Sequence, residues 1–430
     1  DDRLARPMLR TADGGWREAS WEEALAHAAE VLKAAPAKST GFLAAPGATL
    51  EEHYLLARLA RGLGSANLDH RLRRQDFSDQ SSDPLAPGLG MALTEVDGLD
   101  ALLVVGGALR QDAPLLAHRV RKAALRGATV GFVNPARLEW HFPIAAEIVS
   151  PLEAQAEALA GVLAAACDGD FAALPSALAE RLRNLRPDEG QRRMAAALAG
   201  PGRRAVWLGL LAQRHPGYGD LRRLAQALCQ RTGASFGELS EGSNAAGACL
   251  AGMLPHRGPG GAAVETPGRH AGEMLAGGLE AMVLLGCEPE VDGAAGEGVL
   301  AALEATPFVV CLTAFAGAAM RRYAHVLLPI GTSYETSGTF VNCEGRRQSF
   351  AGAARPPGEA RPAWKVLRVL ANQLGLEGFE YLTSEEIRDE LEARLLSAEK
   401  EVAGLPPREV ALRHPGGLEE PGMYATDMLL

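Results

Sequence analysis

The sequence predicts an α/β fold with doubly wound sheets. Short apolar runs that read as buried strands recur along the chain, and amphipathic helical segments separate them. Residues 100–133 hold a complete strand–helix–strand unit, which at this length implies a parallel pair joined by a right-handed crossover. Elements alternating in this way build layered α/β sheets.

The elements follow in order. Ser20 and Glu23 stand at capping-box spacing, and Trp21, Leu25, Ala28 and Leu32 then share one helical face. Residues 40–44 (TGFLA) read as a short strand. Thr49 and Glu52 repeat the capping-box spacing and open a helix through Leu55, Leu56 and Leu59 to Gly62. The run 100–105 (DALLVV) is a buried strand ending at Gly106-Gly107, followed by a helix over 113–125 and a strand over 128–133. Further strands are expected at 205–210, 281–286, 308–312 and 326–330, with a helix over 219–232. Thr339, Phe340 and Val341 can extend a sheet. Pro362 suits the first turn of a helix whose Trp364, Leu367, Leu370 and Leu374 face inward, and Gly375 ends it. A charged amphipathic helix covers 384–400, and the chain reads as irregular beyond Pro406. The polar segment 75–87 and the Gly/Pro-rich segment 255–269 are candidate boundaries. No repeat occurs at a period of 20–50 residues.

Composition excludes several functions. The 430 residues suffice for two or three domains, and 47% hydrophobic content is that of a globular protein. A net charge of −10 and only 5% aromatics argue against nucleic acid as the main partner. No apolar run is long enough to span a bilayer, and no signal peptide opens the chain. The start at Asp1-Asp2-Arg3 reads as a trimmed piece of a longer polypeptide. The six cysteines are scattered with no CxxC pair, which speaks against an iron–sulfur or zinc site and for reduced thiols. The ten histidines form neither HxxxH nor HExxH.

Individual motifs are modest. Gly106-Gly107 after a strand could cradle a phosphate, but GxGxxG spacing is missing and a tight βα turn is the better reading. Gly286 opens a similar loop at a strand's carboxyl end. Cys343 lies near Arg346 and Arg347, which would lower its pKa. His325 beside a strand is expected to be a structural hydrogen-bonder. The charged stretch 67–79, NLDHRLRRQDFSD, reads on its own as a solvated loop of weak ion pairs.

That stretch also carries a resemblance. Together with RLARPMLR and WREASWEEAL near the start, AHVLLP at 324–329, and TSYETSGTFVNCEGRRQSF and GEARPAWKVLRVL later on, it resembles the molybdopterin oxidoreductase superfamily. Within it, the wording is most similar to the C-terminal region of the large iron–sulfur subunits of NADH-quinone oxidoreductases, the respiratory complex I family. The resemblance implies molybdopterin oxidoreductase-type architecture in two interleaved domains. One would be built from 1–65 plus 236–383, the other inserted at 66–235, with a helical or irregular tail over 384–430.

In catalytic members an Asn-hydrophobic-Asp start and an Arg precede a metal ligand. Here Asn67, Leu68, Asp69 and Arg73 match, and the ligand position falls on Gln75. A neutral carboxamide is a poor substitute for a thiolate on a high-valent metal. The resemblance therefore implies a vestigial pterin cleft, with Gln75, Gly106, Gly286, Gly338 and Arg346 as its candidate residues, and no catalytic or metal site. No cofactor is expected in this segment, since the family's iron–sulfur clusters sit in an N-terminal region outside it. The expected role is a structural module of a peripheral arm, contacting other subunits on the cytoplasmic face of the bacterial inner membrane. Two alternatives stay open: an active molybdopterin-dependent oxidoreductase with Asp76 or Ser78 at the metal, and a nucleotide- or anion-binding module using Gly106-Gly107 or the Arg346-Arg347 turn.

Overall fold

The computed structural model describes residues 3–294 and 297–402. Four strands come first: β1 (Met8–Arg10), β2 (Trp16–Glu18), β3 (Thr40–Ala44) and β4 (Leu68–Asp69). Five follow: β5 (Ala101–Val105), β6 (Thr129–Asn134), β7 (Ala146–Val149), β8 (Arg204–Leu208) and β9 (Ser235–Glu238). The chain then adds β10 (Ala281–Leu285), β11 (Phe308–Thr313) and β12 (Val326–Pro329), and closes with β13 (Gly338–Val341) and β14 (Arg347–Phe350).

These strands make two large sheets. The first has the order β2-β1-β12-β11-β10-β3-β4 and is parallel except at β1 and β2. The second, β7-β6-β5-β8-β9, is parallel throughout. The first sheet thus takes strands from both sides of the second in sequence. At the expected junctions, β4, which lies within 66–235, pairs with β3 of the first sheet, and β9, which runs past 235, pairs with β8 of the second.

Both sheets are covered on both faces, so β10 and β5 are apolar on every residue. In β10, Ala281, Val283 and Leu285 enter one core while Met282 and Leu284 enter another. In β5, Ala101, Leu103 and Val105 face one core, and Leu102 and Val104 the opposite one. The helix Leu50–Gly62 begins with the reciprocal Thr49–Glu52 capping box. Ser20 caps its helix from one side only, because Glu23 turns away to pair with Arg17. In the helix Ala363–Gln373, Trp364, Leu367 and Leu370 are buried, as is Leu374 at its C-cap, with Pro362 at the N-cap. His325 accepts from Val309 N–H at 3.1 Å, the structural bond expected of it.

Two expectations change. The segment 339–341 extends neither large sheet: β13 pairs only with β14 in a hairpin. Its other edge is closed by side chains, with Glu51 accepting from Thr339 N–H and Asn244 from Val341 N–H. Burial raises the Cys343 thiol pKa, so the nearby arginines do not activate it. The reading beyond Pro406 falls outside the described residues. Among them no helix is long and apolar enough to cross a membrane.

The sheets are also internally related. Read outward, β12-β11-β10-β3-β4 repeats β7-β6-β5-β8-β9, with β3 and β4 moved ahead in sequence. The loops after β5 and β10 match in detail. Gly106 and Gly286 have φ of +61° and +62°, and each donates its N–H to the next strand, at Val133 and Leu312. Asp112 and Asp292 then cap Ala108 N–H and Glu288 N–H, each at 2.9 Å.

One core residue has an unusual cost. His53 is fully buried and neither ring nitrogen has a hydrogen-bond partner. Burial, reinforced by His70, holds its pKa well below the ordinary value. The folded state therefore keeps His53 neutral, and its contribution is present above the unfolded value near 6.5 and lost as pH falls below it. His53→Leu is expected to leave stability at pH 7.5 unchanged or raise it by about 1 kcal/mol. It should also flatten the stability loss between pH 6.5 and 5 by up to about 1.4 kcal/mol per pH unit. Urea unfolding across this range checks both.

Candidate functional site

The carboxyl ends of both sheets open onto one cleft, where ligands gather in open α/β folds. Its floor is the segment after β4. Asp69, at the end of β4, binds Arg71 through both carboxylate oxygens, at 2.8 and 2.9 Å. It also accepts from the backbone N–H of His70 at 2.8 Å and Ala271 at 3.0 Å. Arg71 reaches Asp83 at 3.2 Å, and Asp83 also pairs with Arg74 and Arg222. Arg222 comes from the helix Tyr218–Thr232 of the second sheet, and binds Asp79 at 2.7 Å. A continuous ion-pair chain thus runs from one sheet to the other.

This corrects the solvated-loop reading of 67–79. Asp69, Arg71, Asp79 and Arg222 are all buried, so water does not screen their pairing. Burial alone would raise the Asp69 carboxyl, but Arg71 outweighs it and holds the pKa well below the usual carboxylate range. Asp83 behaves alike: Arg74, Arg222 and Arg71 overcome its burial.

The candidate cleft residues do not converge. Gln75 is half-buried beside the network. Gly106 is closed off, since Gly106 N–H bonds Val133, Gly107 N–H bonds Asn134 and Ala108 N–H bonds Asp112. No amide there is left to cradle a phosphate. Gly338 is a packing glycine: a Cβ on it would fall 2.6 Å from Thr49 Cβ. Arg346 lies at the exposed hairpin turn, tied to Glu344 at 2.8 Å. Gly286 lines a space of about 310 Å³ at the carboxyl ends of β3, β10, β11 and β12. Glu52, Glu288 and Asp292 also line it, and burial pushes the Glu52 carboxyl up to about 7. These acceptor-rich walls do not suit an anion.

The donor set at the metal position does not fit a molybdenum or tungsten centre. Gln75 offers a neutral amide. Asp76 is committed: one carboxylate oxygen accepts from Ser78 N–H at 2.9 Å and Ser78 Oγ at 2.6 Å, the other from Gly219 N–H at 2.8 Å. Among the described residues no group of three or more His, Cys, Asp or Glu side chains could hold a metal ion. The network residues Asp83 and Arg222 were not legible as site residues, because their partners lie far away in sequence.

Two doubly wound sheets that share a cleft at their carboxyl ends define a ligand-binding type of α/β scaffold. The chain belongs to the molybdopterin oxidoreductase family, whose profile matches residues 3–373. It is 30% identical to the G subunit of NADH-quinone oxidoreductase of Mycobacterium tuberculosis, over 94% of this chain and 50% of that protein. It is 25% identical to the F420-dependent formate dehydrogenase subunit alpha of Methanocaldococcus jannaschii, over 91% of this chain and 65% of that one. The chain spans about half the length of the NADH-quinone oxidoreductase relatives it matches. The solved structure of acetylene hydratase from Pelobacter acetylenicus shares the fold, with a TM-score of 0.64 at 17% identity over 88% of this chain and 62% of that one.

Proposed function

We propose that this chain is a non-catalytic structural module of a NADH-quinone oxidoreductase-type peripheral arm. The observation that carries the reading is the buried chain Asp69–Arg71–Asp83–Arg222, which closes the cleft beside Gln75. Buried, hydrogen-bonded ion pairs of this kind favour one arrangement of the parts they join. The module's work is then to hold a fixed shape for neighbours. Electrons would pass through iron–sulfur clusters carried elsewhere in the parent protein, and the other subunits of the arm would be its partners, at the cytoplasmic face of the inner membrane. The similarity to the G subunits of NADH-quinone oxidoreductases supports this assignment.

The formate dehydrogenase relative favours a second reading, an active molybdopterin-dependent oxidoreductase. Elemental analysis separates the two. Protein produced with molybdate and tungstate in the medium is expected to contain neither metal in stoichiometric amount. One equivalent of either overturns the structural reading.

A further inference from the structure

The cleft network borders a small, partly open space whose walls carry more cation than anion. Arg71, Arg73, Arg74, Arg214 and Arg257 line a cavity of about 60 Å³ between the sheets. Three carboxyl groups face it: Asp83, Glu238 and Glu241. Asp83 is already shared by Arg71, Arg74 and Arg222. Glu238 accepts from the Tyr218 hydroxyl at 2.7 Å, and burial raises its pKa. Glu241 is likewise raised by burial, against the opposing charges of Arg214 and Arg73, the latter at 3.7 Å.

Arg257 is the telling side chain. Its terminal nitrogens donate to backbone carbonyls, of Asp83 at 3.1 Å and Pro84 at 2.6 Å. Its Nε is buried with no hydrogen-bond partner. No carboxylate among the described residues forms an ion pair with it. A guanidinium stays charged at any ordinary pH, so the site holds a partly buried cation, its Nε fully buried, without an ion-pair partner of its own.

We propose that this cavity binds a small inorganic oxyanion, which Arg257 and Arg73 hold as a counter-ion between the two sheets. Size selects the class. A water molecule needs roughly 10–15 Å³ of such volume, so the space admits on the order of four or five heavy atoms. That matches sulfate, phosphate or bicarbonate rather than a nucleotide buried whole. The planar guanidinium fork suits paired oxygens, which a halide lacks. The site is independent of the structural reading above, since it concerns neither metal nor redox chemistry.

The test is thermal unfolding of the protein titrated with phosphate, sulfate or bicarbonate against chloride at matched ionic strength. A bound native-state ligand raises Tm in a saturable way, whereas exclusion of sulfate or phosphate from the surface does not saturate. A saturable rise at low millimolar oxyanion is expected, absent with chloride and lost in Arg257→Met. Should that variant fail to fold, the partly exposed Arg73→Gln is expected to raise the half-saturating concentration at least tenfold. Crystals soaked in selenate should show an anomalous peak beside Arg257. An unsaturable response, an equal response in the variants, or no selenate peak overturns the proposal.

Discussion

Asp83→Ala is expected to destabilise the protein by about 3–5 kcal/mol, the cost of leaving buried charges without their partner. The size follows from position rather than from the number of ion pairs. Asp83 is the joint where Arg71 and Arg74 from the cleft floor meet Arg222 from the second sheet. Arg222 keeps Asp79, but Arg74 loses its carboxylate partner in the network. The pH dependence has the same origin. The folded carboxyl sits well below its ordinary range, so its stabilisation is present above the unfolded value near 3.9 and is lost progressively as pH falls from that value toward the folded one. Asp83→Ala should therefore have a shallower acid branch than the parent. A fitting contrast is Glu189→Ala, which breaks an exposed pair with Arg193 and is expected to cost less than about 1 kcal/mol. Urea midpoints at pH 7, and again from pH 5 to 3, decide both points. Equal losses for the two variants would mean that the cleft network is solvated and does not bind the sheets together.

The same network shows where sequence reasoning stops. Strands such as Ala281–Leu285 and helices such as Leu50–Gly62 were legible, because their signals are local: an unbroken apolar run, or a Thr and a Glu at capping distance. The short edge strands β7 and β9 gave no such signal, since their place is set by pairing with β6 and β8. The stretch 67–79 is dense in charge, and charge within a loop normally marks solvent. Arg222 reverses that inference, and it stands in an ordinary amphipathic helix 139 residues from Asp83. The relation between the two sheets escaped for a different reason. Gly106 and Gly286 and their capping aspartates repeat, but the residues between them differ, and one half carries its strands in permuted order.

That internal relation supplies a matched pair for the second prediction. Gly106→Ala is expected to cost about 2–5 kcal/mol, and Gly286→Ala only about 1–2 kcal/mol. Both glycines have positive φ, so an alanine at either meets the same left-handed strain, about 1–2 kcal/mol. Their surroundings differ. A Cβ on Gly106 would fall 2.4 Å from the backbone nitrogen of Ala212, which is hydrogen-bonded to Gly106 O and cannot move away freely. Overpacking of this kind adds about 1–3 kcal/mol. A Cβ on Gly286 meets only Ala45 Cβ at 3.8 Å, because that loop borders the larger cavity. Urea midpoints of the two variants check the difference. A phosphate-cradle role for Gly106 predicts another pattern: stabilisation of the parent by nucleotides, abolished in Gly106→Ala. With the amides of Gly106, Gly107 and Ala108 all bonded within the chain, no nucleotide response is expected in either protein. Equal costs for the two substitutions would place open space beside Gly106 and restore the cradle as a candidate.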